Sequence, residues 1–479
     1  MPGIHIRLPD ENDFSEALED LRTELGVPER FGPEVLAEID AAISRGPQVP
    51  DGAPVRDVVD ARHTPFVTID PPSSLDLDQA FAASRTDRGY RVEYAIADVA
   101  AFVTPGGVVD GEARQRGVTL YAPDHNTLLH PPQLAEAAAS LLPGEDRQAV
   151  MWSIDIDADG RMQSAHVTRA VVRSRDKLSY AAAQQQIDAG SAAEPLQLLA
   201  EIGRLREARE ADRGAVSLNL PAQEVSRHDD HFDLEYDEAL AVEGWNAQIS
   251  LLTGMAAAEI MLEGRIGLLR TLPEPQPHTI DEIRRSALAL GLSWPKGMSY
   301  PDRVRGLHPA SPMEAAFLTQ AARGLRGAGY VAFAGDVPEY TRHAAIAADY
   351  AHVTAPLRRV CDRFANEVVL ALSADREPPE WALEALDDLP SIMGRARSAD
   401  RALERGVVDL AEALALRHRV GETFEGVVVN VDERGARIQI RTPAVVASID
   451  ADGRRLGEHI AVRLVAADPD IRHVHFESL

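Results

Sequence analysis

Apolar residues recur at three- and four-residue spacing in DFSEALEDLRTELG (13–26) and again in GPEVLAEIDAAISRG (32–46), which predicts two helices. Asp13 is placed to cap the first, and Gly46 to stop the second. The bridge GPQVPDGAP (46–54) then leads into a different pattern. FVTID (66–70), RGYRVEYAIADVAAFV (88–103) and QAVMWSIDIDADGRMQSAHVTRAVVRS (148–174) read as strands, the last as a pair joined at the turn DADG (157–160). Helical period returns in VEGWNAQISLLTGMAAAEIML (242–262) and in PEWALEALDDLPSIMGRARSADRALERGVVDLAEALALRH (379–418). Strands and helices mix here without βαβ alternation, so an α+β body is expected rather than a doubly wound sheet.

The last sixty residues change character. GETFEGVVVNVDERGARIQI (421–440) predicts a hairpin turning at Glu433–Gly435, AVVASID (444–450) a third strand, and HIAVRLVAADPDIRHVHFES (459–478) two more around Asp468–Asp470. Five short strands in this length suit a small barrel of the OB type. The pattern therefore gives three parts: a small helical N-terminal domain (1–60), a large mixed α/β domain (61–415) and a five-stranded barrel (420–479). The helical part reads either as a helix-turn-helix nucleic-acid reader or as a plain packing module, since no basic recognition helix stands out. In the barrel only Phe424 and Phe476 are available to stack on bases, and a structural role suits them better.

The chain has 479 residues, enough for two or three domains and a large core. Its N-terminal residues lack a basic start followed by an apolar block, and no apolar run reaches membrane-spanning length. A single cysteine, Cys361, excludes an intramolecular disulfide framework and any multi-thiol zinc site. A cytoplasmic location is the simplest expectation, with no membrane partner and nothing pointing to an obligate protein partner. The net charge of −27 argues, taken alone, against a polyanionic partner. Charge is uneven, however. YTRHAAIAADYAHVTAPLRRVCDR (340–363) carries Arg342, His343, His352, Arg358, Arg359 and Arg363 against few acids, and Arg397, Arg401 and Arg405 form a helical stripe. Local basic surface on an acidic body can take phosphates while the body repels unspecific nucleic acid.

The densest chemistry lies in TIDPPSSLDLDQA (68–80). Asp76 and Asp78 stand at i and i+2, with Asp70 just upstream. In an extended segment the two acids share one face and Leu75 and Leu77 the other. Carboxylates so gathered raise one another's pKa unless a cation neutralises them. An oxygen-rich, thiol-free set suits a hard cation such as Mg²⁺ or Mn²⁺. An acidic, solvated turn is the plainer alternative, but apolar FVTI and AFAA bracket the acids.

From residue 61 to the C-terminus the sequence resembles the ribonuclease II and ribonuclease R family of exoribonucleases, which carry an RNB-type catalytic domain and a C-terminal OB-type RNA-binding domain. TIDPPSSLDLDQA is similar to the family's acidic motif. YAIADVAAFV, DGEARQRGVTLYAPD and LLHPPQLAEAAASLLPGEDRQAV follow in the family's order, and YTRHAAIAADYAHVTAPLRRVCDRFANEVV resembles its second hallmark. The resemblance implies processive 3′-to-5′ hydrolysis of single-stranded RNA to nucleoside 5′-monophosphates with Mg²⁺, or Mn²⁺ in its place. By resemblance Asp70, Asp76, Asp78 and Gln79 occupy the metal-holding positions, with Asp76, Asp78 and Arg358 as the catalytic residues. Tyr121 matches a tyrosine packed at the 3′-terminal nucleotide and Tyr180 a position near the RNA path. Arg358, Arg359 and Glu404 complete the expected substrate contacts, and Asp362 the residue that orients the arginines.

Three departures stand out. The family's fourth acid is Gln79, a weaker ligand for a hard cation. Gln248–Met255 reads QISLLTGM where the family has paired glutamates and an Ala-Asn. The helical segment stands where the family places tandem cold-shock barrels. These departures motivate an alternative expectation, a catalytically weakened relative acting as an RNA-binding or accessory protein.

Overall fold

The computed structural model describes residues 11–28, 30–49, 58–218, 222–228, 231–237, 239–307, 312–432, 435–440, 445–450 and 453–479. Much of the bridge at 46–54 and the turn residues Glu433 and Arg434 thus lie outside the described residues. The first two helices, α1 (Glu11–Glu24) and α2 (Pro33–Arg45), form as their spacing predicts. The first starts at Glu11, so Asp13 is inside it and not its cap. Gly46 ends the second with a φ of 79°.

The central sheet has seven strands: β1 (Val59–Asp60), β2 (Val67–Ile69), β3 (Gln79–Thr86), β4 (Gly89–Ala97), β5 (Arg147–Asp157), β6 (Met162–Val172) and β7 (Asp176–Leu178). Their order is β1-β6-β5-β4-β3-β2-β7. The long strands β3 to β6 run antiparallel, and only the short edges β1 and β7 pair in parallel. This is the α+β sheet expected from the absence of βαβ alternation. Both faces are covered, which explains the nearly continuous apolar run at the end of β4.

One face carries α4 (Tyr180–Asp188), α5 (Glu194–Arg213), α6 (Ala241–Gly264) and α10 (Val360–Ser373), packed on Tyr94, Trp152 and Ile154. Beneath the other lie α2 and α3 (Val108–Arg116), with Phe66, Leu77, Ala95 and Leu134. A satellite core joins α7 (Pro277–Ala289), α8 (Tyr300–Val304) and α9 (Pro312–Ala321). Two-stranded elements connect these parts: β8 (Ala222–His228) with β9 (His231–Asp237), β10 (Ile266–Thr271) with β11 (Gly329–Ala334), and β12 (Arg342–His343) with β13 (Ala348–Asp349). The expected helix over 379–418 breaks at Asp387–Asp388 into α11 (Glu380–Leu386) and the long α12 (Leu389–Leu416).

The helical N-terminal region is present, and among its described residues the two helices pack on different parts of the body. Phe14, Leu18 and Leu21 of α1 pack on Leu403, Val407 and Leu410 of α12. Gly406 makes this possible: a Cβ there would meet Leu21 at 2.8 Å. The second helix packs on α3 instead. The C-terminal strands β14 (Thr423–Asp432), β15 (Gly435–Ile440), β16 (Val445–Ile449), β17 (His459–Asp468) and β18 (His473–Ser478) form the five-stranded barrel. Their order is β16-β15-β14-β17-β18, and the two end strands approach each other. Phe424 and Phe476 stack edge to face inside it at 5.7 Å, so neither is presented to a ligand.

Candidate active site

The acidic motif is an anchored loop rather than a strand. Residues 70–78 run irregularly from the end of β2 to the start of β3. The loop is pinned from outside, because Ser140 donates through its hydroxyl to the Leu75 carbonyl and accepts from the Leu77 amide at 3.0 Å. Leu141 N–H closes on the Leu77 carbonyl at 3.1 Å, and Lys177 Nζ donates to the Pro72 carbonyl at 2.8 Å. Leu77 is fully buried while Leu75 is 49 % exposed, so the leucines are not the matched pair that simple alternation suggests. Asp78 follows Leu77 inward and keeps only 4 % exposure.

Burial pushes the Asp78 carboxyl up to about 8 and Asp70 up to about 6; the charge of Asp76 adds to both, and the Arg358 guanidinium opposes both. The pair facing Asp78 comes from the turn before α10. Leu357 N–H donates to Asp78 Oδ1 at 2.7 Å, and Arg358 Nε lies 3.3 Å from Oδ2. Arg358 stays 44 % exposed, with its guanidinium at the edge between buried carboxylate and solvent. Asp362, the first-turn acid of α10, accepts from Ala355 N–H at 2.8 Å and so fixes the loop that presents Leu357 and Arg358. On the solvent side Tyr121, 47 % exposed as a residue, donates to Asp76 Oδ2 at 2.9 Å.

The structure brings Asp70, Asp76, Asp78, Arg358 and Tyr121 together. Tyr180, on the first turn of α4, has its phenol raised by burial and then by the nearby charge of Asp70, and its hydroxyl accepts from Asn246 Nδ2 at 3.4 Å. Arg359 differs from expectation. Its guanidinium turns inward onto Asp362, with contacts of 2.8 and 3.0 Å, so it braces the turn instead of facing a substrate. Glu404 lies exposed on α12 beside Asp400, and no ion pair or hydrogen bond joins it to Arg358 among the described residues.

Gln79 also departs from the expected ligand set. Its Nε2 donates to the Thr354 carbonyl at 2.7 Å, and its Oε1 accepts the Tyr94 hydroxyl. Thr354 Oγ1 in turn meets Ser250 Oγ on α6 at 2.7 Å. The amide ties β3 and β4 to the Arg358 loop, and both of its ends are engaged there. Tyr94, Thr354 and Ser250 were not legible as site residues, because they lie 15, 275 and 171 positions from Gln79. Glu136 was also missed; its carboxyl is raised by burial and by the charge of Asp76, which places it beside the acid loop.

Asp70, Asp76 and Asp78 fit a hard cation: all are oxygen donors, Asp78 is buried and Asp70 half-buried, and burial raises both carboxyls in spite of the Arg358 guanidinium. Their oxygens are not gathered within 4.8 Å; among the described residues only His352, Cys361 and Asp362 are. That second group is already satisfied. Tyr330 meets His352 Nδ1 at 2.7 Å, Cys361 Sγ donates to Asp362, and Asp362 holds Arg359.

The RNB domain family matches residues 58–374, and the RNase II-type exonuclease C-terminal S1 domain matches residues 422–479. Among curated proteins the chain is 24 % identical to ribonuclease R of Aquifex aeolicus, over 94 % of this chain and 68 % of that protein. It is 30 % identical to the exosome complex exonuclease RRP44 homolog A of Arabidopsis thaliana, over 66 % of this chain and 35 % of that one. The chain thus spans between about a third and two thirds of the relatives it matches. Among solved structures, the apo form of Mycoplasma genitalium RNase R superposes with a TM-score of 0.86 at 18 % identity, covering 98 % of this chain and 79 % of the other. Yeast Ssd1, described as a pseudonuclease, superposes at 0.71 and 16 % identity, covering 96 % of this chain and 59 % of the other. With two thirds of its length matched by the RNB domain and the barrel matched by the RNase II-type exonuclease S1 domain, the chain belongs to the RNB family.

Proposed function

We propose that the protein is an active, metal-dependent exoribonuclease that degrades single-stranded RNA processively from the 3′ end to nucleoside 5′-monophosphates. The observation that carries this reading is Asp78: a buried carboxylate held by the Leu357 amide and faced by the Arg358 guanidinium, in one loop with Asp70 and Asp76. Asp70, Asp76 and Asp78 would hold Mg²⁺ or Mn²⁺, and the cation would supply water activation and stabilise the departing 3′-oxygen. Gln79 is left out of that set because its amide is bonded at both ends.

The chain's own residues divide the remaining work. Asp78 orients the attacking water and takes part of its proton load. Arg358 is half exposed, and its fork can grip two oxygens of the scissile phosphate as charge develops there. Tyr121 offers an exposed ring as a platform for the terminal base, and its hydroxyl bond to Asp76 fixes that ring relative to the acids. Tyr180 borders the same acids beside Asp70. Mycoplasma genitalium RNase R is solved in complex with ribose-methylated single-stranded RNA and with double-stranded RNA, which supports RNA as the substrate here. No described helix is long and apolar enough to cross a membrane, and a cytoplasmic location is part of the proposal.

The likeness to a pseudonuclease and the loss of the fourth acid favour one other reading, an RNA-binding relative without turnover. Product analysis separates the two. Uniformly labelled RNA should give nucleoside 5′-monophosphates with Mg²⁺ or Mn²⁺, none with chelator, and matched DNA should survive. RNA that stays intact with either metal while still bound would establish the second reading.

A further inference from the structure

A cavity of about 450 Å³ opens between α5 and α6, and none of its lining residues belongs to the acid loop or the Arg358 turn. Arg206, Arg209 and Arg213 enter it from successive turns of α5, and Arg161 joins them from the start of β6. Each α5 guanidinium is fixed by one contact. Arg206 donates to the Gly160 carbonyl at 2.8 Å, Arg209 pairs with Asp212 at 2.9 Å, and Arg213 reaches the Ile346 carbonyl at 3.4 Å.

Arg206 and Arg213 thus line the cavity bonded to backbone carbonyls, with no carboxylate paired to either among the described residues. Three like-charged guanidiniums on one cavity wall, one of them answered by an acid, point to an anion. The nearest acid on the helix, Glu210, does not fill the need, since Gln248 and Ser217 donate to its carboxylate. Asp212 answers Arg209, and Asp157 and Asp159 answer Arg161 at the exposed rim. Burial and the mutual repulsion of the arginines hold the Arg206 guanidinium down to about 10, as expected of a cation without sufficient counter-charge.

The opposite wall is apolar, formed by Met162, Leu252 and Met255. A bare phosphate would leave that wall empty, and the volume falls in the range of about 300–1,000 Å³ typical of organic ligands. Thioethers adapt well to flat rings. We propose that this cavity is a second ligand site that takes a free nucleotide, its phosphates on Arg206, Arg209 and Arg213 and its base on Met162, Leu252 and Met255. Leu252 and Met255 of that wall belong to α6, the helix that bonds the Arg358 loop: Ser250 holds Thr354, and the Gly254 carbonyl accepts Ala351 N–H at 3.0 Å. A Cβ at Gly254 would lie 2.1 Å from Tyr350, so helix and loop are in direct contact.

The test is isothermal titration of the full chain in chelator with GDP, AMP and pyrophosphate, on wild type, Arg213→Gln, Arg209→Gln and Arg358→Ala. GDP or AMP should bind once per chain and tighter than pyrophosphate. Either α5 variant should weaken binding at least tenfold, and Arg358→Ala should leave it unchanged; two α5 variants guard against loss of folding in one. No binding to wild type overturns the proposal, as does pyrophosphate binding as tightly as the nucleotides. Loss in Arg358→Ala but not in the α5 variants would place the nucleotide in the active site. Displacement of GDP from the Arg358→Ala protein by single-stranded RNA would assign the arginines to the substrate strand instead. Turnover is not read, so failure of the exoribonuclease proposal would leave this one standing.

Discussion

Gln79 stands where the resemblance places the family's fourth acid, and its variants ask what that position does. Its amide pairs two buried groups, the Tyr94 hydroxyl and the Thr354 carbonyl, whose residues are 1 % and 2 % exposed. Gln79→Ala leaves both without this partner at buried residues. At about 1–3 kcal/mol for each orphaned group, the loss is between about 2 and 6 kcal/mol. With a urea slope of about 3 kcal/mol/M the unfolding midpoint should fall by about 0.7 to 2 M. Gln79→Asp restores the acid the sequence lacks, yet a carboxylate cannot donate to Thr354 and adds a charge beside Asp78. In chelator it should therefore be no more stable than the alanine variant, and only a divalent cation should raise it. Urea unfolding followed by circular dichroism, with chelator and with Mn²⁺, reads all four combinations. An alanine variant within about 0.5 kcal/mol of wild type, or an aspartate variant as stable as wild type in chelator, would refute the reasoning.

Arg358→Lys keeps the charge but loses the fork, and should lower kcat on short RNA about a hundredfold or more with a smaller change in KM; equal kcat would remove Arg358 from the phosphate. Tyr121→Ala should cost about 1–3 kcal/mol of RNA binding while Tyr121→Phe keeps most of it, checked by fluorescence anisotropy in chelator; equal losses in both would assign the effect to the Asp76 bond instead of stacking. His130 is fully buried, and burial followed by the Arg363 charge holds its imidazole down to about 3. The unfolded chain takes that proton first, so stability is present above about pH 6.5 and falls by roughly 2 kcal/mol on going to pH 5. Urea unfolding at both pH values, with His130→Gln as the flatter control, checks this, and equal slopes would contradict it.

Legibility followed sequence distance. The hairpin at Asp157–Gly160 and the C-terminal strands were readable because period and turn residues lie within one local segment. The acid loop was readable for the same reason; the inward turn of Arg359 onto Asp362 was not, since the resemblance set Arg359 among the substrate contacts. The docking of α1 on α12 was not: Phe14, Leu18 and Leu21 announce an apolar face but not its partner nearly four hundred residues away. The role of Gln79 was hidden likewise, since an amide reads as a weak ligand until Tyr94 and Thr354 are seen on either side of it. Arg206, Arg209 and Arg213 recur at helical spacing, yet periodicity alone does not distinguish a solvated stripe from a cavity wall.

The central claim is that Asp78 sits at the heart of a working metal-dependent exoribonuclease despite Gln79. A time course on 5′-labelled single-stranded RNA, resolving every product length, tests it most directly, with Mg²⁺, Mn²⁺ or chelator and wild type beside Asp78→Asn. Conversion of full-length RNA to a short 5′-labelled end product with few intermediates, needing the metal and absent in the variant, is the predicted result. Intact RNA in every lane, or shortening at equal rate in Asp78→Asn, would contradict it.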